Sequence, residues 1–281
     1  MQTRIECFPC FLKQVIIAVK QISFNEALFK KVLHSVLPLI NNADLSKPPA
    51  YTTTFIHRAI RHALGTDPFR KVKYEYNNIA MGLYPKFREM LISTKDPLWT
   101  AARLAIAGNV IDFGIFTSID IESSVNRALE KNIAVDDYPA FKQSIQEAGS
   151  ILYLLDNAGE IVFDRLLIEE LVSSGKQVTA VVKGAPVLND VTYEDALQTG
   201  LTGVCQVIDN GSDAVGTILE WTSSEFQKTF GICDLIISKG QGNFETIPDT
   251  GKRAYFLFQS KCDVVSKELN LSPCSMLLKK S

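Results

Sequence analysis

Asp156 and Asn157 stand side by side where an apolar run, "ILYLL" (151–155), gives way to the polar "DNAGE" (156–160). A carboxylate and a carboxamide are hard oxygen donors. A second carboxylate, Asp190, follows the next apolar run in "VLNDVTYEDA" (187–196). Three such donors from two neighbouring segments suit Mg²⁺, Mn²⁺ or a similar divalent ion, and not a metal that prefers thiolates. Two carboxylates offset a dication's charge without filling its shell, so the ion could polarise a phosphoryl oxygen or acidify a water. That chemistry is hydrolytic. The same residues could instead cap helices, Asp156 and Asn157 before residue 160 and Asp190 before Val191, because Asp and Asn are among the commonest N-caps. Residue type alone leaves both readings open.

Lys239 in "SKGQGNFE" (238–245) lies between an apolar run and two glycines. Backbone N–H groups there could approach an anion while the ammonium supplies a point charge, although a plain glycine turn has the same composition. The chain has neither a Walker G-x-x-x-x-G-K-[ST] motif nor G-x-G-x-x-G after the first run, which argues against nucleoside triphosphate hydrolysis and a standard dinucleotide site. Its histidines, His34, His57 and His62, fall in helical territory without a nucleophile elbow, and the five-residue step from His57 to His62 misses the i, i+4 spacing of a shared metal. They read as structural or surface residues. Cys7-x-x-Cys10 with Cys262 in "FQSKCDVV" leaves two readings, reduced helix-initial thiols or a second metal or redox site. Cys205 and Cys233 read as core residues.

These residues need elements to position them. From residue 11 to about 147 apolar side chains recur at three and four, as in Phe11, Leu12, Val15, Ile16 and Val19, which predicts helices broken at 38–49, 65–68 and near Pro97. Ser23 or Asn25 can cap one helix, and Pro97 sits early in another. After residue 150 short Ile/Leu/Val runs alternate with helix-period segments. Strands are expected near 151–155, 177–182, 203–208, 232–237 and 254–258, with helices near 160–174, 192–199, 213–221 and 223–230 and Gly175 ending the first of these. The alternation implies a parallel sheet with right-handed crossovers. The expected fold class is therefore α/β: a helical N-terminal domain (1–147) packed on a Rossmann-like, mostly parallel sheet flanked by helices (148–281). In an open parallel sheet ligands bind beyond the carboxyl ends of the strands. The polar residues at 156–160, 183–190, 209–213 and 239–243 follow four of the expected strands.

The totals agree with a folded domain of this size. The 281 residues are 46% hydrophobic and 21% charged, and Lys and Arg (29) nearly balance Asp and Glu (31). No basic field recruits nucleic acid. No apolar stretch approaches the roughly 20 residues that span a bilayer, and the start lacks a signal-peptide pattern, so a cytoplasmic location is expected. Six scattered cysteines do not make a secreted disulfide framework. Composition carries no oligomeric state.

Several segments together resemble the damage-control phosphatase family, once catalogued as a domain of unknown function. They are "ECFPCFLKQ" (6–14), "GTDPFRKVKYEYN" (65–77), "AGNVIDFG" (107–114), "LLDNAGEIVFD" (154–164), "VVKGAPVLNDVTYEDA" (181–196), "DNGSDAVGT" (209–217), "ISKGQGNFE" (237–245) and "FLFQSKCDVVS" (256–266). The CxxC start and lysine-cysteine finish are similar to the smaller, prokaryote-type branch. The resemblance implies a phosphatase acting on small phosphorylated metabolites, sugar phosphates or damaged side-products. It implies a divalent cofactor (Mn²⁺, Co²⁺, Ni²⁺ or Mg²⁺) held by Asp156, Asn157 and Asp190. Asp156 and Asp190 would be catalytic, with either water or Asp156 as the nucleophile. Lys239 would meet the phosphate with Asn243 nearby, Asn109 and Asp112 would reach over the sheet edge, and Glu160 would orient water or cap its helix. The loop "IDNGSD" departs from the Ser/Thr-rich approach to glycine expected of relatives, so Asp209 and Asn210 bear on local charge or substrate choice. A non-catalytic sugar-phosphate or nucleotide sensor, and an S-adenosylmethionine-dependent methyltransferase, are the alternatives. The absent glycine-rich first loop weighs against the methyltransferase.

Overall fold

The computed structural model describes residues 1–23, 25–110, 118–247 and 251–281. Asp112 lies outside the described residues. The N-terminal half holds helices α1 (Cys7–Ile22), α2 (Glu26–Asn41), α3 (Pro49–Leu64), α4 (Arg70–Ser93), α5 (Pro97–Val110), α6 (Ser118–Glu130) and α7 (Tyr138–Glu147), with a short strand β1 (Val135–Asp136) before α7. The second half runs β2 (Ser150–Leu154), α8 (Glu160–Ser173), β3 (Gln177–Val182), α9 (Tyr193–Gln198), β4 (Gln206–Asp209), α10 (Ser224–Ile232), β5 (Leu235–Lys239), α11 (Gln241–Thr246), β6 (Ala254–Gln259), α12 (Asp263–Glu268) and β7 (Met276–Lys280).

Local chemistry sets many of these boundaries. Helix α1 buries Cys7, Phe11, Val15, Ala18 and Val19, one stripe at helical spacing. Asn25 caps α2, its Oδ1 accepting from the N–H groups of Ala27 (2.8 Å) and Leu28 (3.2 Å). Helix α3 opens on a proline and stops at Gly65, whose φ of 71° is the left-handed conformation of a C-terminal stop. Helix α8 is buried along most of its length, Glu160 and Asp164 included. A helix with so little solvent face must lie inside the molecule, and α5 and α4 cover it while it packs on the sheet.

The described strands form one sheet in the order β1-β7-β6-β5-β2-β3-β4, and every pair is parallel except β6 with β7. The chain leaves β2 toward β3 and β4, then returns to β5 and β6 on the other side. The cleft above β2 and β5 is therefore the topological switch point, where such sheets bind ligands.

Three expectations are corrected. The segment 213–221 is not a helix: it runs irregularly, with Ala214, Thr217 and Ile218 buried, and ends in a 3₁₀ turn at Leu219–Trp221. Side chains of α3 hold that backbone in place, since Arg58 and Arg61 bind Asp213 and Thr54 Oγ1 accepts from the N–H of Val215 at 3.0 Å. The strand expected from 203 starts at Gln206, after a 3₁₀ turn at Leu201–Gly203. Strands β1 and β7 extend the sheet beyond the expected five.

One apolar cluster joins the halves, with Tyr76, Phe87, Leu104 and Phe141 packed in the same core as Ile151, Phe163, Tyr255 and Leu278. Among the described residues no helix is long and apolar enough to cross a membrane.

Candidate functional site

The loops after β2 and β3 are joined by their own backbone. The N–H of Ala158 donates to Asn189 O and that of Val191 to Asp156 O, both at 2.9 Å, and Asn157 and Asp190 form an isolated antiparallel bridge. This brings Asp156, Asn157 and Asp190 together beyond the carboxyl edge of the sheet. Beside them the chain leaves β5 through Gly240, with φ 80° and ψ 156°, and a Cβ built on Gly240 would stand 2.0 Å from Asp156 Oδ2. The Asp156 carboxylate thus rests against bare backbone, a seat that only glycine leaves open.

Asn109, at the end of α5, reaches the same carboxylates. Its Nδ2 donates to Asp156 Oδ2 (3.1 Å) and Glu160 Oε2 (2.9 Å), while its Oδ1 accepts from the N–H of Gln259 (3.1 Å). Asn157 Nδ2 donates to the same two oxygens, at 2.5 and 3.0 Å. Glu160 Oε1 meets Lys239 Nζ at 2.6 Å. The Lys239 side chain is 0% exposed, and its ammonium also donates to Ala105 O and Asp164 Oδ1, both at 2.8 Å. Three acceptors match its three protons. Tyr153 Oη donates to Asp164 Oδ1 at 2.8 Å. Asn243 is buried too, accepting from Thr217 Oγ1 (2.8 Å) and donating to Lys239 O (2.8 Å). Of the residues expected to touch substrate, Asn109, Glu160, Lys239 and Asn243 therefore form a satisfied polar layer beneath the site.

Two lysines outside the expected set act on the carboxylates. Lys183 Nζ lies 3.5 Å from Asp190 Oδ2 and donates to Gly216 O. Lys261, exposed at the start of the "KCD" segment, acts electrostatically on Asp156 and Glu160. Burial, then the charges of Glu160 and Asp190, push the Asp156 carboxyl well above its ordinary value. Burial likewise raises Asp190, against the pull of Lys183. For Glu160 burial works upward, but Lys239 and Lys261 hold it below the usual range. Burial opposes the Lys239 charge, yet Asp164 and Glu160 keep the ammonium strongly protonated. Burial brings Asp164 up to about 7 despite Lys239.

Carboxylates that raise one another's proton affinity create a place for positive charge. The donors are hard oxygens, so Asp156, Asn157 and Asp190 could hold a divalent ion of the Mg²⁺ or Mn²⁺ kind. Among the described residues no three His, Cys, Asp or Glu side chains are drawn together as a finished metal cage, and the set here includes a carboxamide. The same holds for the cysteines. Cys7 is buried, Cys10 exposed and Cys262 half-buried, all free, with Gln241 Nε2 donating to Cys262 Sγ at 3.5 Å. Lys183 was legible as a polar residue at a strand end, whereas Lys261 lies outside the four polar strand-end sets. Asp164 had no sequence signal, since it sits mid-helix in a pattern that suits a surface residue equally well.

Residues 3–275 match the family described as the Damage-control phosphatase ARMT1-like domain. The chain belongs to the damage-control phosphatase family. It is 36% identical over 278 residues to an uncharacterized protein of Methanocaldococcus jannaschii, covering 95% of this chain and 91% of that one. A damage-control phosphatase of Archaeoglobus fulgidus is 31% identical over 281 residues, covering 97% of each chain. That of Pyrococcus horikoshii is 32% identical over 276 residues, 96% of this chain and 95% of its own. The crystal structure of this DUF89 family protein from P. horikoshii superposes with a TM-score of 0.92 at 31% identity, over 100% of this chain and 99% of that one. This damage-control phosphatase chain thus shares its whole α/β architecture with a solved relative, and membership makes it a phosphatase by family.

Proposed function

We propose that this chain hydrolyses phosphomonoesters of small metabolites, sugar phosphates or damaged phosphometabolites, with a divalent ion held by Asp156, Asn157 and Asp190. The observation that carries the reading is the backbone junction of the β2 and β3 loops, which groups these three oxygen donors at the switch point of the sheet. When bound, such an ion supplies charge stabilisation at a phosphoryl group and acidifies a coordinated water. The chain's own residues prepare the rest. Lys183 partly offsets Asp190. Lys261, exposed and acting electrostatically on Asp156 and Glu160, is a cation that can meet an incoming phosphate, whereas Lys239 is engaged by Glu160 and Asp164. The phosphate contact therefore passes from Lys239 to Lys261.

The test is phosphate release from an aryl phosphate by the purified chain with Mn²⁺, Co²⁺, Ni²⁺ or Mg²⁺, followed by a panel of sugar phosphates and damaged phosphometabolites. Chelation should abolish turnover, and Asp156→Ala should lower kcat/KM by about 100-fold or more. Lys261→Ala should raise KM roughly tenfold, the loss of one charge-assisted hydrogen bond. Turnover that survives both chelator and Asp156→Ala would sink the proposal.

A further inference from the structure

A carboxamide can present either its oxygen or its NH₂ group, and only the surrounding donors and acceptors decide which. At this site the decision begins at a group that cannot turn, the backbone N–H of Gln259 in β6. It donates to Asn109 Oδ1, so the Nδ2 of Asn109 must face Asp156 Oδ2 and Glu160 Oε2. Glu160 Oε1 is held by the buried Lys239 ammonium, which is itself anchored by Ala105 O and Asp164. Glu160 therefore offers only an acceptor to Asn157, whose Nδ2 takes it at 3.0 Å. With the nitrogen on that side of the planar group, the oxygen is turned the other way.

We propose that Glu160, held by Lys239, is a positioning residue that locks the Asn157 carboxamide with its oxygen toward the divalent ion. This rests on the metal reading above. It accounts for a buried lysine and two buried carboxylates directly under the site, an arrangement that costs stability unless every partner is present. It also assigns Lys239 and Glu160 a role that needs no contact with substrate.

The test is Mn²⁺ binding, followed through the electron paramagnetic resonance signal of the free ion, for the full chain and for D156N, E160Q, N157D and N157D/E160Q. Glu160→Gln is isosteric, but it can present its NH₂ to Asn157 and let that carboxamide turn. It should weaken Mn²⁺ binding roughly 10–100-fold, as loss of a group behind a metal ligand does. A carboxylate at 157 has oxygen on both sides and needs no such lock. In the N157D background, Glu160→Gln should therefore leave affinity within about twofold or tighten it, a non-additivity that general loosening would not produce. Binding by E160Q within about twofold of wild type, or an equal loss in both backgrounds, overturns the proposal. Should E160Q alone fail to fold, N157D and N157D/E160Q carry the comparison, and a loss of about tenfold between them overturns it. If D156N binds Mn²⁺ as tightly as wild type, the metal reading itself fails, a result separable from failure of the lock.

Discussion

Gly240 and His57 show how single residues set limits on this protein. At Gly240 the backbone adopts φ 80° and ψ 156°, and any Cβ would overlap the Asp156 carboxylate. Gly240→Ala should lower kcat/KM about 100-fold by displacing that carboxylate on the order of 1 Å. The same substitution should cost about 1–3 kcal/mol in urea unfolding from backbone strain. His57 is buried with both ring nitrogens unpartnered, and burial with the nearby Arg61 charge holds its pKa down to about 3. The unfolded chain takes up a proton near pH 6.5 that the folded one refuses, so stability from this group is lost as pH falls below about 6.5. By pH 5 the loss is about 2 kcal/mol. His57→Leu should remove that part of the acid limb, which urea unfolding at pH 5 and pH 7.5 would measure. An unchanged pH dependence would mean that the ring is protonated or hydrated in the folded chain. Sequence could place His57 in a helix and read it as structural, but the orphaned nitrogens exist only because α3 turns that face inward.

At the scale of elements, side chains override local propensity in the segment after β4. The run 213–221 has helical composition, yet Asp213 receives Arg58 Nε at 3.0 Å and Arg61 Nη2 at 2.5 Å, and Thr54 takes the Val215 N–H. These bonds to one face of α3 hold the segment irregular. Asp213→Ala leaves both guanidinium groups without this carboxylate. It should lower stability by about 2–3 kcal/mol in chemical denaturation with little change in far-ultraviolet circular dichroism. The two arginines also hold the Asp213 carboxyl below its ordinary value against the effect of burial. Its stabilising contribution is present above the unfolded pKa and fades as pH falls through the lower folded one. The major helices and the five central strands were legible because caps, prolines and a change of period mark them. Strand β1 is two residues long and carries no period, and β7, which lies between β1 and β6 and pairs antiparallel with β6, shows little alternation in "MLLKK".

At the scale of the molecule, the core does not respect the change of texture near residue 148. Tyr76, Phe87 and Phe141 from the helical half pack in one cluster with Phe163, Tyr255 and Leu278, and β1 joins the sheet through β7. The expected outcome is a single cooperative transition for the whole chain by both fluorescence and circular dichroism. The fragment 148–281 should show no cooperative transition of its own, since it would expose one face of that core; a folded fragment would overturn this. By itself the sequence determined the fold class and the alternation of strands and helices, and it singled out Asp156, Asn157 and Asp190 as candidate oxygen donors, because periodicity and residue chemistry are local properties. Only the tertiary structure decided that Lys239, Asn109 and Asn243 are buried among polar partners while Lys261 stays exposed. Strand-end position brings a side chain to the sheet edge, but which side chains are covered depends on where α5 and α8 pack, and that packing is set by the whole core.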